Sequence, residues 1–266
     1  MQLKKIKPTS NGSRHQINLQ KNLLSKTNKL LKSSIVGSKF NAGRSSTTGR
    51  ITVWHKGGQV KRLYRVLNFS NQKYNSLVLS NMYDPNRSSF ISLNFDLKKL
   101  NFFRTLSTGF VYPGSLVSCS SDKVELKLGN RTKLKNIPTG SIVHSLSCGE
   151  NTDVLFARSA GTYCQLIQKD LHSCKVRLPS GLVFTVLNDS YATLGLVSNP
   201  QHNLTCTGKA GRNRLKGVRP TVRGIAMNPV DHPHGGRTNG GRPSVTPWGI
   251  PTKGKPTVLK KNRNYD

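Results

Sequence analysis

The chain has 266 residues, with 42 Lys+Arg against 10 Asp+Glu, a formal net charge of +32, and 34% hydrophobic residues. That hydrophobic share lies below the roughly 45–50% of ordinary globular domains, yet 9 Phe, 7 Tyr and many Val, Leu and Ile still allow a modest core. The balance excludes a fully disordered polyelectrolyte and a self-contained enzyme with an ordinary surface, because so much unneutralised charge repels itself in a compact fold. It calls for a polyanion: nucleic acid or an acidic membrane face. No stretch approaches the roughly 18 apolar residues of a spanning helix. The opening MQLKKIKPTSNGSRHQINL has no apolar core of a secretory signal. It is Ser- and Lys-bearing and acid-free, as transit peptides are, but Arg14 is the lone arginine before Arg44. The five cysteines (Cys119, Cys148, Cys164, Cys174, Cys206) match no zinc spacing. Cys164 and Cys174 read as reduced core positions, which points to a reducing compartment.

The charge is uneven along the chain. Residues 1–83 hold 16 basic residues and no acid. Residues 84–189 hold 13 basic and 8 acidic residues, and residues 190–266 hold 13 basic residues with only Asp231 and Asp266. A nearly ordinary middle flanked by cationic ends is the pattern of a folded module anchored by extensions through polyphosphate.

In chain order, Leu23, Leu24, Leu30 and Leu31 could form a short amphipathic helix. KRLYRVLNF follows as a short run rich in β-branched and aromatic residues. FISLNFDL alternates, with Ile91, Leu93, Phe95 and Leu97 on one face and Ser92, Asn94 and Asp96 on the other. SIVHSLS and TYCQLIQ are further strands. SCKVRL alternates Cys174, Val176 and Leu178 inward with Lys175 and Arg177 outward, and LVFTVL completes the set. Turns at Tyr83-Asp84-Pro85-Asn86, Val111-Tyr112-Pro113-Gly114, Ile137-Pro138-Thr139-Gly140 and Leu178-Pro179-Ser180-Gly181 separate them. The last predicts a hairpin. Short strands at this spacing suggest small barrels or sandwiches, with a boundary near residue 125. From residue 206 onward, 61 residues carry ten Gly and seven Pro, and no strand or helix period of useful length survives.

Three stretches could carry chemistry. Asp231-His232-Pro233-His234-Gly235-Gly236 offers two imidazoles and a carboxylate. Zinc wants three or four ligands, and no further His or Cys cluster lies near it in sequence. A general base needs a nucleophile or pocket that the surrounding sequence does not supply. The cluster therefore reads as a rigid turn that contacts RNA, with no metal and no catalytic residue expected. Arg50-Ile51-Thr52-Val53-Trp54-His55-Lys56-Gly57-Gly58 with Lys61-Arg62-Leu63-Tyr64-Arg65 mixes cations, aromatics and glycines. Glycines bring backbone near phosphate, and Arg and Trp faces stack on bases, so RNA contact is favoured over a solvated basic edge. Gly208-Lys209-Ala210-Gly211-Arg212-Asn213-Arg214 lacks the spacing of a phosphate loop, and nucleotide hydrolysis is rejected.

Met227 to Gly236, then Val245-Thr246-Pro247-Trp248-Gly249 and Thr252-Lys253-Gly254, resemble the C-terminal signature of a universal ribosomal family, the second protein of the large subunit (L-two). The resemblance runs collinearly along nearly the whole chain. Lys7-Pro8-Thr9-Ser10, Gly49-Arg50-Ile51-Thr52, Lys61 to Arg65 and Tyr83 to Ser88 come first. Asn136-Ile137-Pro138, Ala157 to Thr162, Arg177 to Gly181, Gly208 to Arg212 and Arg219 to Gly224 follow. It implies an all-β fold, an OB-like barrel followed by an SH3-like barrel, with long basic extensions buried in rRNA. The divisions it suggests are a basic extension over 1–45, an OB-like domain over 46–124, an SH3-like barrel over 125–200 and a Gly/Pro-rich tail over 201–266. Carried over, the rRNA contacts are Arg50, Trp54, His55, Lys56, Lys61, Arg62, Arg65, Arg87, Arg158, Lys209, Arg212, Arg214, Arg219, Arg223, Arg237 and Lys253. Asp231, His232 and His234 fall near the peptidyl transferase region, with His232 at the family's functionally sensitive histidine. No cofactor is implied beyond Mg held by surrounding rRNA.

The implied role is structural: binding large-subunit rRNA beside other ribosomal proteins, with tRNA and small-subunit rRNA nearby, and supporting subunit joining and tRNA placement while rRNA performs catalysis. The sequence departs from the family at Trp54, Gln59 and Val60, where it has Arg, Gly and His, and at Leu215, where it has Trp. The segment 237–242 is shortened and lacks a glutamate, and the terminus ends Asn262-Arg263-Asn264-Tyr265-Asp266. Such drift reads as organellar, a mitochondrial-matrix ribosome with plastid or bacterial cytoplasm as alternatives, and the family-like start suggests no cleavable presequence. Other classes would be a free nucleic-acid enzyme or chaperone on OB-like barrels, or an acid–base enzyme on Asp231, His232 and His234.

Overall fold

The computed structural model describes residues 3–22, 24–25, 35–39, 42–122, 124–150, 152–236 and 242–254. These form two units, Met1–Phe40 with Lys61–Arg212, and Asn41–Val60 with Asn213–Asp266. Residues 41–60 thus group with the C-terminal tail rather than with the strands that follow them.

The first unit is almost entirely β. Strands β1 (Leu3–Lys5) and β2 (Ile17–Leu19) form a hairpin, and β3 (Ile35–Lys39) pairs with β4 (Arg62–Arg65). The main sheet begins with β5 (Tyr74–Met82), β6 (Ile91–Asp96), β7 (Phe102–Leu106) and β8 (Leu116–Ser120). It continues with β9 (Arg131–Lys133), β10 (Ile142–His144), β13 (Cys164–Lys169), β14 (Ser173–Arg177), β15 (Val183–Leu187) and β16 (Tyr191–Leu194). Strands β11 (Leu146–Ser147) and β12 (Val154–Phe156) pair separately. The ten-stranded order is β15-β14-β13-β10-β16-β9-β8-β5-β6-β7. Every pair in it is antiparallel except β8–β9, where Cys119 meets Arg131 and joins the two halves. The hairpin expected at Leu178–Gly181 forms: Leu178 N–H donates to Leu182 O at 2.8 Å, and Gly181 takes φ +90°.

Each half has its own core. Leu134, Ile137, Val143, Leu146, Cys164, Leu166, Cys174 and Val176 fill the second half, and Leu67, Met82, Ile91, Leu93 and Leu106 fill the first. Burial pushes the Cys164 thiol up to about 12, in keeping with the inert core cysteine expected from its neighbours. Among the described residues, every buried hydrophobic lies between Leu67 and Val197.

The alternation in β6 holds for Ile91 and Leu93, but Leu97 is exposed while Ser92, Asn94 and Asp96 are buried. The polar face is turned inward: Ser92 and Asn94 line a small internal cavity with Arg131, His144 and Ser145, and Asp96 accepts the Lys98 N–H at 2.9 Å in the turn after β6. Its groups pair internally: Ser92 donates to Asn81 Oδ1 at 2.7 Å, and Asn94 to Thr105 Oγ1 at 2.9 Å. Of the amphipathic helix expected around residues 23–31, Leu23, Leu30 and Leu31 lie outside the described residues, and Leu24 sits in a bend. A short helix, α1 (Ala210–Leu215), stands where no helical period is legible, and it buries no side chain.

Candidate nucleic-acid interface

The second unit carries, in sequence, 14 Lys+Arg against Asp231 and Asp266. Its described residues contribute no buried hydrophobic side chain, so backbone hydrogen bonds and glycines shape it. Gly43 turns at φ +70° where a Cβ would stand 2.2 Å from Val53 O, and its own carbonyl accepts the N–H groups of Thr52 and Val53. The loop that follows zips antiparallel onto the tail. Gly57 N–H donates to Gly217 O at 3.0 Å, Arg219 N–H to His55 O at 2.9 Å, and Val60 N–H to Leu215 O at 3.2 Å.

That zip brings together cations far apart in sequence, Lys56 from the loop with Arg214 and Arg219 from the tail; the same unit carries Arg50 and Arg223, and all five are exposed. Trp54 and Trp248 meet with ring centroids 5.9 Å apart and stay 56% and 67% exposed. Aromatic faces left in water among cations are surfaces on which bases stack. Trp248 was absent from the expected contacts, although the Thr-Pro-Trp-Gly signature contains it. Lys253 is exposed in this unit, and Arg237 lies outside the described residues.

The turn at Asp231–Gly236 is rigid by construction. Asp231 and His232 N–H groups donate to Asn228 O, and Gly235 N–H returns to His232 O at 2.8 Å. A Cβ on Gly235 would stand 2.3 Å from Asn228 O, so the tight return requires glycine. His232 is 8% exposed. Its Nδ1 accepts the His234 backbone N–H at 3.0 Å, which in the neutral ring leaves the proton on Nε2. His234 donates from Nε2 to Pro243 O at 2.9 Å, and the two rings lie 4.8 Å apart. Asp231 is exposed. Among the described residues no three His, Cys, Asp or Glu side chains converge to hold a metal ion.

The remaining expected contacts sit in the first unit. Lys61, Arg158 and Lys209 are exposed, Arg62 donates to Pro85 O at 3.1 Å, and Arg212 donates to Thr207 O at 3.2 Å. Arg65 and Arg87 have another task. Asp84, fully buried, accepts Arg65 Nη1 at 3.3 Å and Arg87 Nε at 2.9 Å, and Asn86 N–H completes the knot at 3.0 Å. A carboxylate taken from water needs such partners, and Arg65, 8% exposed, turns its guanidinium to Asp84. Arg131, unremarked in the sequence, is a buried cation that donates to Ser145 O, Thr193 Oγ1 and Asn71 Oδ1. Burial and its charge push the adjoining His144 imidazole down to about 3, so that ring is neutral.

Two family descriptions match this chain: "Ribosomal Proteins L2, RNA binding N-terminal domain" over residues 31–119 and "Ribosomal Proteins L2, C-terminal domain" over residues 127–249. The chain is 44% identical over 270 residues to the large ribosomal subunit protein uL2m of Reclinomonas americana, covering 99% of this chain and 96% of that one. It is 42% identical over 271 residues to uL2 of Wolbachia sp. subsp. Brugia malayi (strain TRS), covering 100% of this chain and 97% of the relative. With uL2 of Wolbachia sp. subsp. Drosophila simulans (strain wRi) the identity is 41% over 274 residues, covering 100% and 97%.

Proposed function

The chain belongs to the ribosomal L2 family, a structural rRNA-binding constituent of the large subunit, and from that premise we propose how this member works. The all-β first unit is the folded anchor: it holds residues 61–124 of the OB-like domain read over 46–124, and the whole SH3-like barrel read over 125–200, while residues 46–60 group with the tail. The extension over 1–45 and the tail over 201–266 run into rRNA. The observation that carries this reading is the antiparallel zip between residues 55–60 and 215–219. It sets Lys56 beside Arg214 and Arg219 on a unit that also carries Arg50, Arg223 and two exposed tryptophans and buries no hydrophobic side chain among its described residues. Such a surface gains its stabilisation from phosphate neutralisation and base stacking rather than from a core.

The role is positional, not catalytic. In the neutral ring, His232 Nδ1 is engaged by the His234 N–H, and Nε2 carries the proton, so Nε2 is a donor to rRNA or tRNA and not a base. The turn at 231–236 lies near the peptidyl transferase region and supports tRNA placement and subunit joining, with other large-subunit proteins and small-subunit rRNA nearby. Any Mg is held by the rRNA. The mitochondrial uL2m relative supports a place in the mitochondrial ribosome, and the two Wolbachia relatives support a bacterial cytoplasm as the second reading. Among the described residues no helix is long and apolar enough to cross a membrane.

The test is the salt dependence of binding between the full chain and large-subunit rRNA. Neutralising Arg50, Lys56, Arg214, Arg219, Arg223 and Lys253 together should flatten the log–log slope by about 5, near 0.9 per phosphate contact. An unchanged slope would show that these cations do not face phosphate.

A further inference from the structure

A groove in the first unit was marked by the sequence motifs at Arg212 alone. It runs along β2 and the residues just after it, with a volume of about 630 Å³, roughly that of a small-ligand cleft. Lys4 of β1, Lys21 and Arg212 line it, and none of its lining residues is acidic. Gln16, Asn18, Gln20 and Asn22 line it too, a carboxamide at every second position. Side chains two apart on an extended strand share a face, so Gln16, Asn18 and Gln20, on and beside β2, form a ladder on one wall, and Asn22 follows in the turn beyond it.

The ladder is held in advance of any ligand. β2 is bonded on one side to β1, with Leu3 opposite Leu19 and Lys5 opposite Ile17. On its other side Ile17 exchanges backbone bonds with Cys206 at 3.1 and 3.0 Å. Gln16, 5% exposed, donates from Nε2 to Asn18 Oδ1 at 2.9 Å, leaving the Asn18 amide N–H groups to face outward. The Lys21 ammonium rests 3.7 Å from the centre of the Tyr83 ring, which fixes its height above the groove.

We propose that this groove takes an unpaired, splayed segment of RNA, with phosphates on Lys4, Lys21 and Arg212 and base edges on Asn18, Gln20 and Asn22. The inference rests on the reading of the chain as an rRNA-binding protein and adds where, and in what form, a strand is gripped. Carboxamides carry both a donor and an acceptor and so match base edges, whereas a duplex offers a concave wall mainly phosphates and sugars. Same-face residues of a strand lie about 6.6 Å apart, about twice the rise of roughly 3.4 Å between stacked bases. Neighbouring amides thus stand two base steps apart, and only an unpaired segment, whose bases can splay from the stack, turns their edges to such a wall.

Photo-crosslinking of the full chain in assembled large subunits tests this. With Asn18→p-benzoylphenylalanine, irradiation should give an adduct to one short rRNA segment that is unpaired by chemical probing. The same residue at Leu171, 93% exposed, is the reference position. Adducts to paired nucleotides, adducts to a protein, or no adduct at position 18 would overturn the proposal. A second arm uses binding to large-subunit rRNA. Lys4→Ala with Lys21→Ala should reduce the salt slope by about 1.4, at roughly 0.7 per contact to a single strand. Asn18→Ala should weaken binding about tenfold with the slope unchanged. Wild-type slope in the lysine pair, or unaltered affinity in Asn18→Ala, would also overturn it. Variants that fail these tests yet still sediment with the large subunit would remove the groove and leave the family role standing.

Discussion

The His232 imidazole lies flat against the backbone of Gly224: a Cβ at Gly224 would stand 2.7 Å from Cε1, Nδ1 and Nε2 of the ring. Glycine there and histidine eight residues later form one packing unit, which a scan for catalytic residues would separate. Overpacking of this kind costs about 1–3 kcal/mol. Gly224→Ala should therefore displace the ring and open the turn. The check is amide exchange in assembled subunits, where Gly235 and Gly236, bonded to His232 O and Met227 O, should lose protection.

Substitution of His232 separates position from proton transfer. The carboxamide oxygen of His232→Asn falls near the place of Nδ1 and can still accept the His234 N–H, whereas His232→Ala cannot. The Asn variant should keep most translation activity, the Ala variant should impair subunit assembly, and the pH–rate profile of Asn ribosomes should keep its shape. Normal assembly with the loss of one titration limb would make the histidine chemical.

Trp54 and Trp248 test stacking independently of charge. Base–aromatic stacking is worth about 1–3 kcal/mol per base, so either Trp→Ala change should weaken rRNA binding by roughly 5- to 150-fold. The salt slope should stay constant, because neither side chain neutralises phosphate.

Much of the fold was legible because its strands satisfy the period-two rule and proline–glycine turns bound them, as in Cys174–Leu187. What failed to show was the partner of each polar group. Asp84 sits in a Tyr-Asp-Pro-Asn turn that reads as exposed, yet Arg65, nineteen residues earlier, draws it into the interior. Local sequence marks a cation but not whether a carboxylate already neutralises it. For the same reason the pairing of Arg65 and Arg87 with a buried carboxylate leaves no mark in the local sequence. Helix α1 was missed because it buries nothing, so no apolar period marks it. The pairing of Trp54 with Trp248 joins two loop positions far apart in sequence, which local side-chain patterns do not encode.

The Asp84 knot predicts a stability effect distant from RNA. Asp84→Asn leaves Arg65 buried without its counter-charge, a change that costs about 3–5 kcal/mol. Urea unfolding of the full chain should shift to a correspondingly lower midpoint.

His144 should make the first unit acid-sensitive. Its Nε2 pairs with Thr108 Oγ1 at 2.9 Å and its Nδ1 with Ser145 Oγ at 2.9 Å, and its pKa is lowered to about 3. The unfolded chain takes up a proton near pH 6.5 that the folded one refuses, so stability falls as pH drops from about 6.5 toward 3. At pH 5 the loss is about 2 kcal/mol. His144→Gln should be less stable at pH 7.5 and show a shallower acid dependence; an equally steep one would assign the effect to other groups.

As a structural constituent of the large ribosomal subunit, the chain must travel with that particle. Sucrose-gradient sedimentation of a lysate, with a blot for the chain, tests it most directly. The chain should sediment with the large subunit, stay there after subunits are dissociated at low Mg, and leave it on RNase digestion. Recovery mainly at the top of the gradient as a free, monodisperse protein, unaffected by RNase, would contradict it.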